Sequence, residues 1–97
     1  MKSLNKLETQ KLLISLETIS SYAFRSGGIA EALRGTIGDL RATLTHSSET
    51  GTFVPTTLDR QLPYQLARFA GFAVGNDHMS FAEFISETAH HLIPFTE

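Results

Sequence analysis

Apolar residues recur at helical spacing in four stretches of the chain. The most apolar runs from Leu62 to Gly75, where nothing charged follows Arg68 until Asp77. Wound as a helix, it places Leu62, Leu66, Phe69 and Ala73 on one side, and Ala67, Ala70, Gly71 and Val74 keep the rest small or apolar. A helix apolar nearly all round is usually buried among partners. This stretch therefore predicts the central helix of a small bundle, with Pro63 in the first turn, where a missing N–H costs nothing.

Three more helices follow from the same periodicity. Leu12, Leu16, Ile19 and Ala23 repeat at four-three-four spacing, with Leu13, Ile14, Tyr22 and Phe24 beside them and Ser3 as the expected N-cap. The first turns, with Leu4 and Leu7, are less densely apolar and are expected to fray or meet a partner. Ser26-Gly27-Gly28 breaks that helix. Ile29, Ala32, Leu33, Ile37, Leu40 and Leu44 form the next stripe, with Gly35 and Gly38 opposite. Those glycines mark either a solvent-side weakness or a place where another backbone comes close. Polar, turn-forming residues 46–57 read as the one substantial loop, with Phe53 and Val54 tucked against the core and Thr56 or Thr57 capping a short turn. Gly75-Asn76-Asp77 ends the central helix. Ser80 with Glu83 spells a capping box, and Met79 with Phe84 a hydrophobic staple. The last stripe is Phe81, Phe84, Ile85, Thr88 and Leu92, and Pro94 stops the helix. The expected fold is all-α: a compact single-domain bundle of about four helices, near 3–25, 28–45, 62–74 and 80–93.

Composition narrows the functions open to such a bundle. The 97 residues include no cysteine, which removes disulfides, thiolate metal sites and cysteine catalysis. The chain carries a net charge of −2, so no global field draws it to nucleic acid or acidic membranes. The N-terminus lacks the apolar core of a signal peptide, and the longest apolar run falls short of a membrane span. A soluble, cytoplasmic protein is expected.

Three short segments resemble known motifs. Residues 29–44 resemble a helix-turn-helix, with Arg34-Gly35-Thr36 as the turn and Thr36 with Asp39 as a capping pair. That resemblance implies a DNA-binding regulator reading through Arg34, Thr36 and Arg41. It departs from the motif at Gly35, where an aliphatic residue is normal, and the apolar stripe stays in phase through the supposed turn. Met79-Ser80-Phe81-Ala82-Glu83-Phe84 resembles the exit of an EF-hand loop, but the first and third ligand positions would hold Phe72 and Val74. Glu87-Thr88-Ala89-His90 has the spacing of di-metal carboxylate bundles, which need two such motifs and two further glutamates facing inward. No metal or cofactor follows from one motif, and no spacing is diagnostic of catalysis.

Protein binding has broader support. The apolar residues exceed what one stripe per helix requires, and Tyr and Arg are the residue types that dominate interface energetics. The expected function is a small non-catalytic module, of inhibitor, immunity-type, adaptor or regulatory kind. It would bind another protein through a helical face bearing Tyr22, Arg60, Tyr64, Arg68 and Phe72. A homo-oligomer is an additional expectation. The alternative is the DNA-binding regulator using residues 29–45, and a metal-binding bundle is third.

Overall fold

The computed structural model describes residues 3–22, 29–55 and 57–96. They form four helices: α1 (Lys6–Ser20), α2 (Ile29–Thr50), α3 (Gln61–Gly75) and α4 (Met79–Leu92), followed by a 3-10 turn at Ile93–Phe95. No strand forms among the described residues. One isolated bridge joins Leu58 to Thr96, and the Leu58 N–H donates to the Phe95 carbonyl. Of the two residues expected to tuck against the core, Val54 is exposed and Phe53 is half-buried. The helices are all-α as expected, and one buried cluster takes side chains from every helix. Ala23, Phe24, the break at 26–28, Thr56 and the side chains of Ile29 and Ala32 lie outside the described residues.

Helix ends differ from the sequence reading, each for a local reason. α1 starts at Lys6, and its N-cap is Asn5, not Ser3. The Asn5 side chain accepts from the Glu8 N–H, and the Glu8 carboxylate accepts from the Asn5 N–H, 2.8 and 2.9 Å apart. This reciprocal pair satisfies two donors that a helix start leaves open. Leu4, just before the cap, is only 2% exposed, so the start of α1 is anchored in the core, while Leu7 faces solvent.

α2 runs five residues past the expected end, through His46–Thr50. Leu33, Ile37 and Leu40 are buried, Leu44 is half-buried, and Ser47 takes the next inward place in the same stripe. The helix stops at Gly51, whose φ of 73° is the left-handed conformation glycine adopts without steric cost. The Gly51 N–H donates to the Ser47 carbonyl at 2.8 Å, which closes the last turn.

At the start of α3 the Asp59 side chain accepts from the Gln61 N–H at 2.7 Å. At the other end Asp77 takes the left-handed position, φ 61°, while Gly75 stays helical. The His78 N–H donates to the Ala73 carbonyl and the Asp77 N–H to the Val74 carbonyl, the paired bonds of a Schellman motif. That motif uses up residues 77–78, so α4 begins at once at Met79. The Ser80–Glu83 capping box therefore does not form. Instead, the His78 carbonyl accepts the first bond of α4, from Ala82.

Small side chains decide how α3 and α4 meet. Their contact is the most extensive between any two helices, and Ala70 and Ala73 of α3 are buried with Ala82 and Ala89 of α4. Without long side chains between them, two helix backbones approach closely. The buried side of α4 is Ala82, Ile85, Ala89 and Leu92. The predicted stripe is thus turned: Phe84 is exposed, Phe81 only partly buried, and Met79 exposed, so no staple forms. α3 is less enclosed than expected. Leu62, Leu66, Phe69, Ala70 and Ala73 are buried, while Tyr64, Ala67, Arg68, Gly71 and Val74 face outward.

Candidate protein-binding surface

Arg60 precedes α3, and Tyr64 and Arg68 follow at four-residue steps. That spacing advances a residue only about 40° around a helix, so the three form one stripe. It lies opposite the buried side of α3, and all three residues are exposed. Tyr64 is 68% exposed, more than any other large apolar or aromatic residue described. Neither arginine takes part in an ion pair among the described residues. α3 itself carries no acidic residue.

Beside the stripe, a groove of about 490 Å³ separates α3 from α4. Pro63, Tyr64 and Ala67 form one wall and Ser86, Ala89 and His90 the other, with Arg60, Ile93 and Thr96 completing it. Ile93 is 54% exposed because the 3-10 turn carries it out of the core stripe. The lining is mostly apolar, and no carboxylate is among the described lining residues.

A second groove, of about 570 Å³, lies between α1 and α4. Leu4, Leu12, Phe84 and Leu92 give it an apolar floor, and Glu8, Lys11, Glu87 and His91 a rim of mixed charge. Sequence reasoning missed this groove because it placed Phe84 in the core.

The remaining expected residues do not join the Arg60–Tyr64–Arg68 stripe. Tyr22 stacks on Phe81, ring centroids 3.7 Å apart and planes within 17°, with the His78 ring edge-on at 6.1 Å. It ties the end of α1 to the start of α4. Phe72 is partly exposed and lies about 80° around α3 from Tyr64, away from the α3–α4 groove.

The residues of the DNA-reading alternative are dispersed. α2 is unbroken through Arg34, Gly35 and Thr36, so the turn of a helix-turn-helix is absent. Arg34 pairs with Glu31 one turn earlier, and Arg41 pairs across to Glu17 of α1. Thr36 is half-buried in a small pocket facing Thr57, Leu58 and Asp59. Glu87 and His90 both sit on the outer part of α4, where they share an open pocket with Ser86 and His91; Glu87 also lines the α1–α4 groove and His90 the α3–α4 groove. Among the described residues no three metal-ligating side chains come together. No described helix is long and apolar enough to cross a membrane.

Comparison with protein families, characterised proteins and solved structures gives no match.

Proposed function

We propose that this chain is a small non-catalytic protein that binds another protein through the exposed face of α3 and its groove with α4. One observation carries the reading: a highly exposed tyrosine stands at the edge of an apolar groove, in a stripe with two arginines that make no ion pair among the described residues. Tyr and Arg supply most of the binding energy at protein interfaces, and apolar grooves between helices are where they act. Inhibitors, immunity-type proteins, adaptors and regulatory subunits all work through such a surface, with no group that must turn over a substrate. A cysteine-free chain suits the reducing cytoplasm.

The test is recovery of a partner from the native cell with the tagged full chain, run beside Tyr64→Ala and an exposed control, Thr45→Ala. A single protein recovered in near-equal amount by the wild type and the control, and at least about tenfold less by Tyr64→Ala, is the expected result. Equal recovery by all three places binding elsewhere and refutes the surface. Sedimentation of the pure chain decides whether a second copy occupies the same face.

A further inference from the structure

We propose that Glu87 and His91, on the outer face of α4, are half of a zinc site that the same two residues of a second copy of this chain complete. The two stand one helical turn apart within α4, which sets their side chains side by side with about 5–6 Å between Cβ atoms. Helices hold zinc through paired ligands at this spacing. Both residues are exposed and line one open pocket. They also share the α1–α4 groove, whereas the neighbouring His90 turns toward the α3–α4 groove. Glu87 takes part in no ion pair among the described residues. Neither Glu87 nor His91 is among the described lining of the α3–α4 groove, so a zinc bridge here does not depend on the Tyr64 surface.

The pair is incomplete within one chain. Zinc is bound tetrahedrally, and among the described residues no third ligand joins the two. The charged groups facing them from α1 are Glu8 and Lys11. Glu8 accepts from the Asn5 N–H in the cap of α1 and offsets the charge of Lys11. A second copy supplies the missing donors by symmetry. When two α4 helices cross antiparallel at the level of Ala89, each Glu87 lies beside the other copy's His91. Two carboxylate oxygens and two imidazole nitrogens then surround one axis, a donor set that suits zinc at about 2.0–2.2 Å. The site falls in the last turn of α4, where the carbonyl end of the helix favours a cation. The His91 ring lies 6.0 Å from that of Phe95, which limits its swing. Phe84, exposed one turn before Glu87, adds apolar surface to the contact.

The test sediments the untagged full chain, first stripped with a chelator, in zinc and in magnesium, a cation that prefers oxygen donors. The expected result is a monomer in chelator and in magnesium. In zinc a dimer should form, holding one metal per two chains by elemental analysis. Glu87→Gln and His91→Gln, each checked for folding by circular dichroism, should weaken zinc-driven dimerisation at least about tenfold, the scale of loss when even a group supporting a ligand is removed. Glu87→His keeps a ligand at that position and should retain the dimer, which a merely structural role for the glutamate would not allow. His46→Gln, at an exposed histidine of α2, should change nothing. Zinc bound with no change of mass would overturn the bridge, as would a dimer equally strong in chelator. A zinc-driven dimer that survives Glu87→Gln or His91→Gln, or that is lost in Glu87→His or His46→Gln, would overturn the assignment of the ligands.

Discussion

Replacing Gly35 and Gly38 together by alanine is expected to stabilise the chain. Both lie inside α2 and face solvent, and a Cβ built on either meets no atom within 4 Å. No described residue resists the added methyl groups. The gain is the helix-propensity difference, close to 1 kcal/mol per site in an exposed helix interior, so about 1.5–2 kcal/mol for the pair. In a domain of this size that raises Tm by roughly 6–16 °C. Gly51→Ala is the matched control. The space beside its Cβ is equally empty, but its φ is 73°. Alanine there takes up a left-handed backbone at a cost of about 1–2 kcal/mol. Equal space with opposite sign isolates backbone conformation from packing. Urea unfolding followed by circular dichroism measures all three, with sedimentation run in parallel. A double variant no more stable than wild type would refute the propensity argument. A less stable one that also loses an oligomer present in the wild type would show that these glycines admit the backbone of another chain.

Other substitutions test the core and the connections. Phe69 is fully buried at the centre of α3, so Phe69→Ala should cost about 3–5 kcal/mol; a loss below about 1 kcal/mol in the same titration would contradict its place in the core. Ala82→Leu forces extra methyl groups between α3 and α4 and should cost about 1–3 kcal/mol, whereas an unchanged midpoint would mean that the two helices are not closely packed there. Asp77→Gly relieves the left-handed residue of the Schellman turn and should gain about 0.5–1 kcal/mol. Asp77→Asn, measured alongside, separates backbone relief from loss of charge, and a Gly variant less stable than wild type would rule out the relief.

Much of the fold was legible because four apolar stripes recur at helical spacing between clear breaks. The misread ends have specific causes. Residues 46–50 are polar and favour turns, but Ser47 falls in phase with Leu40 and Leu44, so inward packing extends the helix against local preference. The stop signal was present as Gly51, inside the stretch read as loop. Asn5 with Glu8 and Ser80 with Glu83 spell the same kind of cap. Only the first is free to form, because the Schellman turn at 77–78 leaves no extended residue before Ser80. Capping patterns compete with the preceding connection, and that competition is a three-dimensional property.

The same reasoning explains which site residues could be foreseen. α4 offers two faces that share Ile85 and Leu92: one adds Phe81 and Phe84, the other Ala82 and Ala89. Hydrophobicity alone favours the phenylalanines. The alanines win because Ala70 and Ala73 of α3 present an equally shallow surface, and close approach of two helices gains contacts along their whole length. Turning α4 by that choice brings Phe84 to the α1–α4 groove and sets Ser86 and His90 opposite Tyr64. Tyr64 and Arg68 lie on the far side of a face set by Leu62, Leu66, Phe69 and Ala73, and the helical backbone of Arg60, a residue read from the sequence as part of a separate short turn, brings it into line with them. Tyr22, 40% exposed, stacks on Phe81 of another helix, a contact that the sequence does not display. An aromatic residue is available to a partner only after the chain's own packing has left it uncovered. The grooves here follow from where α4's alanines face, more than from where its large residues stand in the sequence.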